Sequence, residues 1–166
     1  MSLVDVIRVF NKLKSSRKLK DYAIFGSVAA SYYTVPIYTD DIDIIVLAST
    51  DSDYVQIYRE LNKFSSQTDT FSFLISGLKV QILPTSISDL YAHSLQTAKQ
   101  LRTEGITTRV VDKEHLVLLA LLANRPKDRY RVMLLLPLAD KSYLNSLLRR
   151  FDRDGTLKKR LDELAK

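Results

Sequence analysis

Asp41 and Asp43 stand one residue apart in the run Thr39-Asp40-Asp41-Ile42-Asp43-Ile44. In an extended strand alternate residues project from one face, so both carboxylates share a side while Ile42 and Ile44 turn to the other. Two like charges so close repel each other and disfavour the strand, and Asp40 adds a third acid beside them. The arrangement calls for a counter-cation. Hard oxygen donors grouped in this way suit Mg²⁺ or Mn²⁺, ions that also bridge to phosphates. Upstream, the apolar run Tyr22 to Phe25 stops at Gly26-Ser27, and Val28, Ala29 and Ala30 then begin a helix. A strand that turns directly into a helix leaves N–H groups pointing outward, where an anion fits. Glycine lets the backbone come close to that anion, and the Ser27 hydroxyl adds a donor. Each signal alone has a plain reading, an exposed strand start for the acids and an ordinary helix start for Gly26-Ser27. Together, in strand-turn-helix-strand order, they describe a site for a metal-bound polyphosphate.

These residues need a scaffold, and the hydrophobic periodicity supplies one. Leu3, Val6, Ile7, Phe10 and Leu13 recur at helical spacing and predict an amphipathic helix ending near Ser15 to Arg17. Strands are expected at Tyr22 to Phe25 and Asp41 to Leu47, with a short helix between them that Pro36 ends. Tyr54, Ile57, Tyr58, Leu61 and Phe64 mark a second amphipathic helix. Thr70 to Ile75 and Leu78 to Leu83 read as a hairpin across Ser76-Gly77, closed by Pro84. A helix-like stretch from Ile87 to Ala98 and a β-branched strand at Ile106 to Val111 follow. Beyond Asp112 the pattern is helical at Leu116 to Ala123, Tyr130 to Leu136, Tyr143 to Phe151 and Leu157 to Leu164. The expected fold is α/β (α+β), a small mixed sheet flanked by helices and followed by a C-terminal helical bundle. Residues 1–111 would form the α/β domain, with 112–166 packed on it as the bundle.

The strand, Gly26-Ser27, spacer and Thr39-x-Asp41-Ile42-Asp43-Ile44 order resembles the signature of the DNA polymerase β-like nucleotidyltransferase superfamily. The detail Tyr38-Thr39-Asp40-Asp41-Ile42-Asp43 is most similar to the AbiEii-type toxins. Further on, a leucine-rich helix leading to Arg125-x-Lys127-Asp128 is similar to a second segment of that family. The resemblance implies transfer of a nucleotidyl group from a nucleoside triphosphate, with Asp41 and Asp43 as the catalytic, metal-holding pair for Mg²⁺ or Mn²⁺. It implies nucleotide binding by Gly26, Ser27, Thr39 and Lys127, with Arg125 and Asp128 as additional site residues. The acceptor it suggests is an RNA, such as a tRNA end, or a protein.

Three departures qualify that expectation. The third carboxylate of the family aligns with Gln81, whose neutral amide cannot serve as a base. Asp69 and Asp89 flank the hairpin and replace that acid only if a loop folds inward. Ala120 stands where relatives often carry a lysine, and Arg131 where they often carry a second acid. The alternative expectation is therefore a degenerate member that binds nucleotide or RNA without turnover, as part of a toxin–antitoxin or regulatory pair.

Composition bounds the rest. The chain has 166 residues, 46% hydrophobic and 27% charged, and no cysteine, which removes disulfides, thiolate metal sites and thiol nucleophiles. Asp5, Arg8, Asn11 and Lys12 interrupt the N-terminus in a way no signal peptide tolerates, and the longest apolar runs are too short to span a bilayer. A soluble, cytoplasmic protein with no membrane partner is expected. The net charge of +6 is spread over several basic clusters, which read first as solvated helix faces and secondly as a mild preference for polyanions. His93 and His115 read as ordinary packing or surface residues. Of the nine tyrosines, Tyr32, Tyr33 and Tyr38 lie near the acidic strand and are the candidates for stacking on a base.

Overall fold

The computed structural model describes residues 2–69 and 72–166. Helix α1 (Leu3–Ser15) is started by Ser2 and Asp5 in a reciprocal capping box and buries Val4, Val6, Ile7, Phe10 and Leu13. Strand β1 (Tyr22–Phe25) is buried along its whole length and runs straight into α2 (Gly26–Ala30). After a turn containing Pro36 comes β2 (Asp41–Val46), then α3 (Asp51–Asn62), which Thr50 and Asp53 cap.

The next three strands are β3 (Ser65–Thr68), β4 (Ser72–Ile75) and β5 (Leu78–Pro84). A 3₁₀ turn at Thr85–Ile87 leads to α4 (Asp89–Gln96), and β6 (Lys99–Thr103) and β7 (Ile106–Val110) complete the strands. Four helices follow: α5 (Lys113–Ala123), α6 (Pro126–Leu135), α7 (Lys141–Phe151) and α8 (Thr156–Leu164). None of the described helices is long and apolar enough to cross a membrane.

The seven described strands form one mixed sheet in the order β3-β4-β5-β2-β1-β7-β6. The β2–β5 and β1–β7 pairs are parallel, and β1–β2, β3–β4, β4–β5 and β6–β7 are antiparallel. Helix α5 is buried around most of its circumference and packs against α2, α4, α6, α7 and α8. Its uniformly apolar surface is what a helix at the centre of a cluster needs. One hydrophobic core joins α1, the central strands and α5 to α8 without a break.

The expected elements are present with small shifts of boundary, and two strands were not anticipated. β3 reads SSQT and β6 reads KQLRT. Both are the outermost strands of the sheet, half open to solvent, so they carry none of the apolar alternation that marks a core strand. The Ile87 to Ala98 stretch is divided because Ser88 is fully extended and caps α4. Thr70 and Phe71, expected to begin the hairpin, lie outside the described residues.

Candidate active site

The centre of the site is where the end of β1 meets the beginning of β2. Phe25 pairs with Asp43 across the two strands, and the chain then leaves β1 at Gly26 with φ +69°. That left-handed backbone favours glycine, and so does the space: a Cβ on Gly26 would collide with Asp43 Oδ2 and lie 3.1 Å from Cγ. The glycine is therefore required by the acid it faces. Ser27 follows, 5% exposed, and its Oγ accepts a hydrogen bond from Arg131 Nη2 at 3.0 Å. The hydroxyl keeps its own proton for a further acceptor.

On β2 the alternation expected from the sequence holds. Ile42 and Ile44 are buried, and Asp41 and Asp43 are partly buried on the opposite face. Thr39 Oγ1 donates to Asp41 Oδ1 at 2.9 Å, so Thr39 fixes the orientation of that carboxylate. The neighbouring strand places Gln81 level with Asp43 and Lys79 level with Asp41. Gln81 thus stands beside the acid pair, in the register where the resemblance calls for a third carboxylate. Asp69 is bound to Ser72 through its backbone N–H and hydroxyl, both at 2.8 Å, one strand beyond Gln81. Asp89 is exposed and pairs with Arg153 at 3.5 Å.

Helix α6 brings the cations. Arg125 precedes it, Pro126 is its first residue, and Asp128 accepts from the Arg125 backbone N–H at 3.1 Å and from Arg125 Nε at 2.6 Å. Asp128 is fully buried and also pairs with Arg131 Nη2 at 3.2 Å. Arg131 is 5% exposed, and its Nε is the one buried side-chain nitrogen or oxygen among the described residues that lacks a hydrogen-bond partner. Lys127 is exposed on the first turn. Burial and the charge of Asp41 push the Asp43 carboxyl up to about 6, against the pull of Arg131, Lys127 and Arg125. Burial likewise lowers the Arg131 guanidinium from its usual range, with Asp128 and Asp43 holding it charged. Gly26, Ser27, Thr39, Asp41, Asp43, Gln81, Arg125, Lys127 and Asp128 therefore lie about one locus.

Two contributors lie outside the sequence motifs. Arg131, a departure from the family pattern, is the buried partner of both Asp128 and Ser27. Tyr91 of α4 sits with its ring edge-on to Phe25, centroids 6.1 Å apart. Its hydroxyl is raised first by burial and then by the charge of Asp43. No local signal marks either residue, because helix periodicity does not tell which strand end a helix will cover. Of the tyrosines expected near the site, Tyr33 donates to the Val111 carbonyl at 3.2 Å and is pushed up to about 12, mainly by burial. Tyr38 is 87% exposed and donates to Asp40. Ala120 is buried within α5 as a core residue.

The donor set fits a hard divalent cation. Two carboxylates share one face, Gln81 stands level with Asp43 on the next strand, and burial and then the charge of Asp41 raise the Asp43 carboxyl, a cost that a cation would relieve. No group of three or more His, Cys, Asp or Glu side chains among the described residues could hold a metal by itself. The remaining coordination would fall to phosphate and water, the usual habit of Mg²⁺.

The backbone superposes on ANT(2")-Ia in complex with adenylyl-2"-tobramycin with a TM-score of 0.61 at 15% identity, covering 92% of this chain and 98% of the other. An antigenic nucleotidyltransferase-like protein from Paracoccidioides brasiliensis gives 0.59 at 17% identity, covering 95% and 94%. The fold is the nucleotidyltransferase fold. A solution structure of ANT(2'')-Ia agrees, at 0.56 and 15% identity over 95% of this chain and 97% of that one. No family model and no curated protein sequence matches the chain. Within the nucleotidyltransferase fold, the β1–α2 turn, the β2 acids and the start of α6 enclose the candidate site.

Proposed function

We propose that the protein transfers a nucleotidyl group from a nucleoside triphosphate to an acceptor hydroxyl on RNA or protein, with Mg²⁺ or Mn²⁺ held by Asp41 and Asp43. The observation that carries this reading is the Asp41–Asp43 pair set against Gly26, with the α6 cations drawn in above it. A bound divalent cation would neutralise charge on the triphosphate and orient it. Thr39 holds the Asp41 carboxylate in one orientation, ready to serve as a ligand. Ser27 offers its hydroxyl proton to a phosphate oxygen, and Lys127 and Arg125 supply positive charge as it departs with the pyrophosphate. Arg131 Nε, a buried donor with no acceptor, gains one from the phosphate chain, which offsets a desolvation cost of about 1–3 kcal/mol. Catalysis of this kind rests on position and charge more than on a protein base.

Labelled nucleoside triphosphates with Mg²⁺ or Mn²⁺ and a panel of acceptors test the reading. The panel includes tRNA, the protein itself and tobramycin, whose adenylyl adduct accompanies the ANT(2")-Ia fold. Transfer is expected, and Asp43→Ala should lower it by at least about a hundredfold. Absence of transfer from every nucleotide to every acceptor overturns it.

Gln81 favours a second reading, a nucleotide- or RNA-binding protein without turnover that acts with a partner chain, as in a toxin–antitoxin pair. It stands level with Asp43, where the resemblance calls for an acid. Gln81→Asp separates the two: this reading expects nucleotide binding without transfer in the wild type and transfer in the variant.

A further inference from the structure

A second polar constellation lies on the other side of α4, and nucleotidyl transfer has no use for it. Asp112, 2% exposed, accepts from His115 Nδ1 at 2.8 Å; His115, wholly buried, meets His93 Nδ1 through its Nε2 at 2.7 Å; His93 Nε2 meets Arg150 Nη1 at 3.1 Å. Arginine can only donate, and that fixes every proton in the series. His93 Nε2 must be the acceptor, so His93 is neutral with its proton on Nδ1. That proton goes to His115 Nε2, so His115 is neutral as well and gives its Nδ1 proton to Asp112. A buried carboxylate thus governs, through two rings, the basicity of one nitrogen at the surface.

That nitrogen opens on a cavity of about 560 Å³ lined by Gln96, Arg150, Phe151 and Arg153 among others. Arg150 lies over the Phe151 ring at 5.1 Å and is exposed, so it can swing off His93 at little cost. Arg153 is tied only to Asp89, in a pair more than four-fifths exposed on both sides. Such pairs contribute little. The other ionisable groups around the series are Tyr143, edge-on to His115 at 5.9 Å, Tyr33 and Glu114 near Asp112, and Lys99, which adds to the lowering of Asp112 by His115; Asp89 lines the same cavity. Two guanidinium forks and an imidazole nitrogen around one cavity match the oxygens of a phosphate better than a neutral ligand.

We propose that this cavity is a binding site for a phosphate group, carried free or on a nucleotide, and that occupancy is coupled to uptake of one proton by His93. The phosphate draws Arg150 and Arg153 to itself. His93 Nε2, released by Arg150, takes a proton from solvent and donates it to a phosphate oxygen, while Asp112 balances the imidazolium through His115. With Arg150 on its ring, His93 is held below its ordinary value by burial, by His115 and by Arg150, against the pull of Asp112. Removing Arg150 from the ring and adding an anion both act in the opposite direction. The contribution of His93 to binding therefore grows as pH falls from 8 to 6.

The test is a titration of the full chain with inorganic phosphate and, separately, with AMP at pH 6.5, read at the His93 ring nitrogens by ¹⁵N NMR. Nε2 is expected to change from an acceptor to a protonated nitrogen, and calorimetry in two buffers of different ionisation enthalpy should show a proton taken up. A response at least about tenfold stronger for AMP assigns the phosphate to a nucleotide; equal responses assign it to the free anion. His93→Gln and Arg150→Met should each weaken binding by about tenfold, and His93→Gln should leave only the pH dependence that the phosphate's own ionisation imposes. An unmoved Nε2 with both ligands up to about 20 mM overturns the proposal, whether or not the variants fold. So does binding by both variants that matches the wild type in strength and pH profile.

Discussion

Asp43 is the residue on which the site turns, and its surroundings make opposite demands. Its carboxyl is raised to about 6, so between about pH 4 and 6 the folded chain holds a proton that the unfolded chain has released. The folded state is favoured while Asp43 is protonated, and that advantage is lost as pH rises through 6. Asp43→Asn removes the charge without altering shape. It should raise the melting temperature at pH 7.5 in metal-free buffer by about 3–6 °C, an effect that fades at pH 4, as a calorimetric pH series would show. Cation affinity should move the other way, dropping about tenfold for each pH unit below 6 because the proton competes with the metal. Gly26→Ala combines a positive φ with a clash on the Asp43 carboxylate. A loss of about 1–3 kcal/mol in urea melts is expected, with loss of nucleotide binding beyond what stability explains.

At the scale of elements, the turns and the sheet edges repay attention. Both hairpins cross on a residue followed by glycine with positive φ at each position: Ser76 at +50° with Gly77 at +75°, and Glu104 at +47° with Gly105 at +77°. This is the turn in which asparagine is preferred at the first position. Glu104→Asn should therefore stabilise the protein by about 0.5 kcal/mol, measured by denaturant titration, because it relieves a strained non-glycine residue. The Ser76-Gly77 hairpin was legible because β4 and β5 are apolar on either side of it. The Glu104-Gly105 hairpin was not, because β6, at the sheet margin, sets lysine, glutamine and arginine around a single apolar residue, Leu101. Exposed edges are selected to look polar, and polarity erases the periodic signal.

Over the whole molecule, α5 is the helix against which most of the other helices pack. Its Leu116, Leu118 and Leu121 are almost wholly buried, in a core continuous from α1 through the sheet to α8. Leu118→Ala should cost about 2–5 kcal/mol and lower site integrity with it, since Asp112 at the start of α5 and Arg125 beyond its end depend on the same helix. A single cooperative transition in calorimetry is expected for the full chain, and two separate transitions would show that residues 112–166 hold a core of their own.

The acid pair, the Gly26-Ser27 turn and the order of core elements were determined by the sequence itself. They rest on local rules: the period of two in a strand, the period of 3.6 in a helix, and the backbone freedom of glycine. What tertiary structure alone decided is who stands next to whom. It set Gln81 level with Asp43, buried Arg131 between Ser27 and Asp128, turned Tyr91 toward the acids, and linked His93 to His115 across two helices. Apart from the Asp128–Arg131 pair, three residues apart on one helix, each of these joins residues far apart in the chain and is fixed by how the sheet and the helices pack.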